Sequence, residues 1–377
     1  MSPLIDACPS CLRRTDLIAA LAGRIEVEWR LRRGRPQLLA LPDAQLLEWS
    51  RDAGAARHYE GFAVEFALDR LVAAGLGAVC RCSPAYPDGL RELADPPAVL
   101  HVAGDLAALE RTAVGIVGAR RASSYGLEVA RTLGRGLAAA GVTVVSGMAM
   151  GVDSAAHAGA LEASGTTVAV LATGADRPYP ARARGLHARI VETGCVVSEL
   201  PPGFEPRRWA FPARNRLIAA LSAISVVVEG GERSGSLITA DFAAELGRAV
   251  GAVPGAVTSR LAEGPHVLLK SGAELIRGAE DVLDLLHGAG LHAVPAPVVV
   301  GAGEPRSAGP PPAPAAPPDL EPHLRRLLDR VEQGQGSVAD LVTDPAHAFA
   351  VTRDLGELEV RGLIRRVFGG RYVRAAG

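Results

Sequence analysis

The sequence predicts an α/β protein built on a doubly wound, mostly parallel sheet, with a small helical domain before it and a winged-helix domain after it. Three observations predict this. Between residues 79 and 288, short unbroken apolar runs alternate with helical segments. Strands buried on both faces read as such runs, and their alternation with helices implies a parallel sheet covered on both sides. Residues 1–78 carry helical periodicity instead, and residues 319–377 pair three helical segments with two short β segments.

The elements follow in order. In residues 1–78 the apolar positions Leu17, Ile18 and Leu21, Leu46 and Leu47, then Phe62, Phe66, Leu68, Leu71 and Val72 recur at helical spacing. The first strand of the α/β region is Ala113–Val117, closed by Gly118, and a helix runs from Gly126 to Ala140. Strand Val142–Val145, helix Val152–Ala163, strand Thr167–Leu171, helix Arg182–Glu192 and strand Cys195–Ser198 come next. Helix Ala213–Leu221, strand Ser225–Val228, helix Leu237–Gly247 and strand Ala249–Val253 complete the series. Residues 289–318, with Gly309-Pro310-Pro311-Pro312, are too rich in Pro, Ala and Gly to pack a core and read as an extended linker. Residues 319–377 hold helices Leu320–Glu332, Ser337–Leu341 and Ala348–Arg361. Leu363–Val367 and Arg371–Val373 flank Gly369-Gly370 as a hairpin.

Composition narrows the function. The chain has 377 residues, 48% hydrophobic and 21% charged, enough for two or three packed domains. A net charge of −1 excludes indiscriminate coating of nucleic acid, so any polyanion contact must be a local patch. The basic residues are arginines, Lys270 excepted, and arginine forks suit phosphates. Aromatics at 4% argue against a large base-stacking platform. No secretory signal and no apolar run of membrane-spanning length is visible, so a cytoplasmic protein with reduced cysteines and no membrane contact is expected.

In an open parallel sheet, ligands bind beyond the carboxyl ends of the strands. After the first strand come Gly118, Ala119, Arg120, Arg121, Ser123 and Ser124: a turn glycine, two cations and a cap at a helix start whose amides attract anions. Ser146 and Gly147 end the second strand. Thr173 to Pro180, with Arg177, follows the third. Phe211-Pro212-Ala213-Arg214-Asn215-Arg216 opens a helix, and Glu229 to Ser236, with Ser234, Gly235 and Ser236, follows a later strand. Glycine- and serine-rich loops gathered at one sheet edge make a phosphate-binding groove. It is not a dinucleotide site, since no G-x-G-x-x-G follows the first strand. The P-loop and G-x-S-x-G patterns are also absent.

Two further constellations read as structural. Asp153 and His157 share a helix face, but a metal needs a third ligand. The expectation is an acid at a helix start bonded to a structural histidine. Cys8-x-x-Cys11 and Cys80-x-Cys82 could supply four thiolates to zinc. Their separation and the unusual Cys-x-Cys spacing favour free thiols, and no metal or cofactor is expected. Cys195 opens a buried strand.

Together these loops resemble the DNA-processing protein A (DprA/Smf) family. The resemblance rests on Tyr86-Pro87, Asp95-Pro96-Pro97, Val117-Gly118-Ala119-Arg120 with Tyr125-Gly126, and Ser146-Gly147 through Gly151-Val152-Asp153 and Ala156-His157. It continues through Gly165-Thr166-Thr167, Tyr179-Pro180, Ser198-Glu199 and Phe211-Pro212 with Arg214-Asn215-Arg216. Ser234-Gly235-Ser236 with Thr239-Ala240, Val253-Pro254-Gly255 and Gly272-Ala273 complete it. It covers about residues 80–285. Ala119 stands where the family often has Ser, and His266 near where it often has Asn. The resemblance implies a Rossmann-like domain and a protein that is not an enzyme. Such a protein binds single-stranded DNA, helps load the RecA recombinase on it in natural transformation and recombination, and commonly forms a homodimer. Two other readings stand beside it. One is a Rossmann-like nucleoside-monophosphate phosphoribohydrolase, for which Glu229-Gly230-Gly231 before Ser234-Gly235-Ser236 is reminiscent. The other is a metabolite-sensing regulator with a winged-helix reader; the C-terminal arginines Arg361, Arg365, Arg366, Arg371 and Arg374 could touch DNA or a partner, or form a solvated wing.

Overall fold

The computed structural model describes residues 4–32, 37–287, 320–333, 341, 348–367 and 371–374. The chain divides into two compact units, Met1–Ala289 and Gly290–Gly377. The expected linker at 289–318 and the helix at Ser337–Leu341, Leu341 apart, lie outside the described residues.

The first unit opens with strand β1 (Ile5–Asp6) and helices α1 (Pro9–Ala20), α2 (Ala22–Arg32), α3 (Asp43–Ser50), α4 (Ala53–Glu60) and α5 (Val64–Ala73). Pro9 begins α1, where its missing N–H matters least. The Asp52 carboxylate caps α4 by accepting from the N–H groups of Gly54 and Ala55. Strand β2 (Gly77–Cys80), the short helix α6 (Asp88–Arg91) and β3 (Val99–Gly104) follow. Then comes the expected alternation: β4 (Ala113–Val117), α7 (Ser124–Ala139), β5 (Thr143–Ser146), α8 (Val152–Glu162), β6 (Thr167–Val170), α9 (Arg184–Thr193) and β7 (Cys195–Ser198). After these come α10 (Ala210–Ala220), β8 (Ile224–Val227), α11 (Gly235–Glu245), β9 (Ala249–Ala252), α12 (Glu263–Lys270), β10 (Glu274–Leu275) and α13 (Ala279–His287).

These strands form one sheet in the order β1-β2-β3-β7-β6-β5-β4-β8-β9-β10. From β7 to β10 every pair is parallel, whereas β3 runs antiparallel to both β2 and β7. Side chains alternate across β4 and show why both faces are covered. Val114 and Ile116 pack with Leu133, Leu137 and Ala156 of α7 and α8. Gly115 faces the other way, where a Cβ would meet Ile218 and Ser222 at the end of α10. The doubly wound expectation holds for this parallel part.

The N-terminal region differs from the expectation. β1 and β2 belong to the sheet, and the boundary drawn between residues 78 and 79 falls inside β2. The helices share cores with the sheet layer. Leu17, Leu21, Ile25 and Leu46 pack with Trp209 and Ala213, while Leu12 and Leu71 pack with Val99, Ala169 and Val196. Amphipathic helices beside a sheet bury their apolar stripe on it, and periodicity alone does not say on which surface.

The second unit contains α14 (Pro322–Glu332), α15 (Ala348–Val360) and the antiparallel pair β11 (Ile364–Val367) and β12 (Arg371–Arg374). Leu324, Leu328, Leu355, Leu358, Ile364 and Tyr372 form its core. Of the C-terminal arginines, Arg361 pairs with Glu321 and Glu357, and Arg374 with Glu332.

Candidate nucleic-acid interface

The chain runs from β4 to β5, β6 and β7 on one side, then crosses over to place β8 and β9 on the other. The order therefore reverses between β4 and β8, the position where open α/β sheets leave a crevice at the strands' carboxyl ends. A cleft of about 300 Å³ lies there. It is lined by Gly118 and Arg120 after β4, by Ala149 before α8 and Asp153 in its first turn, by Phe211, Pro212, Arg214 and Asn215 of α10, and by Ser234, Gly235, Ser236, Ile238 and Thr239 at the start of α11.

Helices α7, α8, α10 and α11 begin at this edge, and their N-terminal charge is not equally available. Helix α7 is capped by Ser123, whose Oγ accepts from Gly126 N–H at 3.1 Å. The same serine donates its backbone N–H (2.9 Å) and hydroxyl (2.5 Å) to the Glu229 carboxylate. A Cβ on Gly126 would lie 2.3 Å from that carboxylate, so glycine is what lets the acid lie against the helix start. Helix α8 carries Asp153, which accepts from the N–H groups of Gly147 and Ala149. At α10 the buried Glu26 accepts from Trp209 N–H at 3.2 Å. Each of these termini has an internal anion in place of an external one. Helix α11 has no acidic residue in its first turn. It is capped only by the Ser234 hydroxyl, beside Ser236 Oγ at 2.8 Å, and it opens on the cleft.

Two arginines add positive charge there. Arg120 is exposed, its guanidinium 4.8 Å from the centre of the Phe211 ring, which holds a long side chain in place by cation–π attraction. Arg214 is buried and donates to the Val170 carbonyl. Burial, with the nearby Arg120, pulls its pKa down to about 10 against the opposing pull of Asp153, so it stays charged at neutral pH. Its place depends on Gly147, where a Cβ would sit 1.9 Å from the guanidinium. Burial pushes the Asp153 carboxyl up, with Arg214 acting in the opposite direction. The Thr239 hydroxyl, buried in the wall, has no hydrogen-bond partner among the described residues. Tyr179 lies against Phe211, ring centres 5.6 Å apart, and is half exposed.

Of the residues expected at this edge, Gly118, Arg120, Arg214, Asn215, Ser234, Gly235 and Ser236 meet in the cleft. The rest are elsewhere or otherwise engaged. Arg216 bonds to Asp95 and Glu199 in a second cleft that also contains Arg14. Two helical residues apart means about 200° around the axis, so Arg214 and Arg216 project to opposite sides. Ser123 is held by Glu229. Ser146 donates its hydroxyl to the Ile116 carbonyl, and Gly147 spends its N–H on Asp153. Ala119 is buried, with its carbonyl on Val152 N–H. Arg121 and Arg177 are exposed but do not line the cleft. The sequence reading overlooked Phe211 and Tyr179 as an aromatic pair, and Glu229 and Glu26 as internal anions. An acid two residues past a strand beside a serine-capped helix is a usable signal only once β4 and β8 are known to be neighbours.

Asp153 and His157 do not bond to each other. His157 Nδ1 lies 2.7 Å from Thr167 Oγ1, and burial pulls its pKa down to about 3. A histidine kept neutral by the fold favours the folded state above its unfolded pKa of about 6.5, and that preference is lost as pH falls toward the depressed value. The wild type should therefore lose more stability between pH 7 and pH 5 than His157→Gln does. Parallel urea midpoints for the two proteins would contradict this.

Fold and cleft together define a class: a Rossmann-like protein with an arginine-lined crevice at the switch point of its sheet. The profile of the DNA recombination-mediator protein A family matches residues 77–287, more than half of the chain, and the chain belongs to that family. It is 51% identical over 174 residues to the putative DNA processing protein DprA of Mycobacterium tuberculosis, covering 46% of this chain and 45% of that one. The chain thus spans less than half the length of that relative. The X-ray structure of DNA processing protein A from Streptococcus pneumoniae superposes with a TM-score of 0.60 at 32% identity, covering 73% of this chain and 95% of that one. A structure describing the single-stranded DNA binding mode of DNA processing protein A from Helicobacter pylori gives 0.50 at 31% identity, covering 53% and 92%. Among the described residues no helix is long and apolar enough to cross a membrane.

Proposed function

We propose that the chain binds single-stranded DNA along the β4–β8 cleft and acts in DNA recombination, holding the strand for loading of the RecA recombinase without turning over a substrate. The observation that carries this reading is the open α11 terminus flanked by Arg120 and Arg214, where α7, α8 and α10 are already matched by Glu229, Asp153 and Glu26. Phosphates suit the cations and amides. Phe211 and Tyr179 offer ring faces to bases, which only an unpaired strand can present. The phosphoribohydrolase alternative loses support because the acid it needs, Glu229, has both carboxylate oxygens engaged by Ser123. A homodimer and a role in transformation belong to the same proposal and rest on the family; a cytoplasmic setting and a C-terminal winged helix rest on the sequence pattern.

The test is binding of single-stranded and duplex oligonucleotides by the full chain at two salt concentrations, with nucleotide hydrolysis assayed alongside. Tighter single-strand binding that weakens with salt and little base preference are expected. Equal or better duplex binding would contradict the proposal, as would hydrolysis. A chain ending at residue 288 retains the whole first compact unit bar one residue and should keep single-strand affinity. If it folds yet loses binding, the cleft is not the site.

A further inference from the structure

The four cysteines read as free thiols lie together. Cys8 is the N-cap of α1 and Cys11 is in its first turn, so one helix start presents both sulfurs. Cys80 ends β2 and Cys82 follows two residues later. Parallel pairing of Ile5 with Ala78 and Asp6 with Val79 fixes the register that brings the two pairs together. All four Sγ atoms lie within 4.8 Å of one another, and Cys11 and Cys82 are 3.8 Å apart. Zinc with Zn–S bonds of about 2.3 Å makes a tetrahedron whose sulfurs are about 3.8 Å apart. A disulfide would need about 2.05 Å and would join sulfurs in pairs, whereas here four share one centre. The backbone N–H of Cys8 points at Cys80 Sγ at 3.4 Å, a donor of the kind that stabilises a thiolate ligand. The α1 N-terminus adds its positive end to the same place.

We propose that Cys8, Cys11, Cys80 and Cys82 bind one structural zinc ion through four thiolates. Each thiol releases its proton as its sulfur lone pair bonds to Zn²⁺, giving a centre of charge −2 with no change of oxidation state. All four positions are protein ligands, so the site is closed and structural. Its effect is mechanical. It ties residues 8–11 to residues 80–82 and closes the loop that carries α1 to α5, where a cross-link removes much chain entropy. Helices α1 to α4 pack on Trp209, the N-cap of α10, and on Ala213 within it, the helix that delivers Arg214 to the cleft. Sequence spacing argued against this site because Cys-x-Cys after a strand is unusual, and the pairing of β1 with β2 is what overcomes the distance.

The test is elemental analysis of the full chain purified under reductant without added metal, before and after incubation with zinc. About one zinc per chain is expected. Cobalt(II) exchanged into the site should give the intense absorption of tetrahedral thiolate coordination, and removal with a chelator should lower the melting temperature. Cys82→Ser, at the most exposed ligand, should abolish stoichiometric zinc, while Cys195→Ser, a buried cysteine outside the cluster, should leave it unchanged. A folded wild-type chain that takes up no zinc even after incubation overturns the proposal, whatever the variants do. Iron in place of zinc, or full zinc retention by folded Cys82→Ser, overturns it equally.

Discussion

Replacing Arg216 by alanine is expected to destabilise the fold by about 3–5 kcal/mol, the range for breaking a buried ion pair from one side. The side chain is 3% exposed. Its Nε donates to Asp95 Oδ2 at 3.0 Å, one terminal nitrogen to Glu199 Oε1 at 2.9 Å, and the other to Glu199 Oε2 at 2.7 Å and the Asp95 carbonyl at 3.1 Å. Burial alone would pull its pKa down, but Glu199 and Asp95 more than offset this and hold it above its ordinary value. The Asp95 carboxyl is pushed up by burial even with the guanidinium beside it. Without Arg216, Asp95 and Glu199 lose the cation that bonds to both. Asp95, already pushed up by burial, then binds its proton more readily folded than unfolded, so the deficit should shrink as pH falls from 7 toward 5. Urea unfolding at both pH values checks the size and the sign. An unchanged midpoint at pH 7, or a deficit that grows on acidification, would contradict the structural role.

Arg214 and Arg216 show how far the sequence could be read. Both were legible as cations at the start of a helix on the ligand edge, since a strand end followed by Phe211-Pro212 marks that helix. Which of the two faces the cleft depends on helix phase and on partners more than a hundred residues away, and Asp95 is one of these. The parallel strands were legible because burial on both faces leaves unbroken apolar runs such as Cys195–Ser198. β1 has only two residues, so its pairing with β2 could not be read, and without that pairing the two cysteine pairs had no visible reason to meet. Of the residues read at that edge, Gly118, Arg120 and Ser234–Ser236 do meet in one cleft. The α7 terminus was misread for a physical reason: an internal carboxylate satisfies a helix start as well as a phosphate does, and Glu229 arrives from β8, not from its sequence neighbours.

Arg120→Ala is expected to weaken single-strand binding about ten- to a hundredfold, the loss of one or two charge-assisted hydrogen bonds to phosphate. Arg120 is exposed at the rim of the cleft and makes its described contact with the Phe211 ring, so its guanidinium remains able to receive an anion. The ring limits the conformations it must give up on binding. Arg214, on the floor, is the second cation at the same place, opposite the α11 terminus. The effect should be alike for all base sequences, because phosphate contacts carry no sequence information. The salt dependence should flatten as well, by about 0.7 in the slope of log K against log salt for one phosphate contact on a single strand. Stability should change little, in contrast to Arg216→Ala, because Arg120 is exposed and its described contact is with the Phe211 ring. Fluorescence anisotropy with two unrelated oligonucleotides over a salt series, beside a urea melt, reads all three quantities. A folded Arg120→Ala protein with wild-type affinity and wild-type salt slope would place the DNA outside this cleft. A loss confined to one oligonucleotide would mean that Arg120 reads bases, not the backbone.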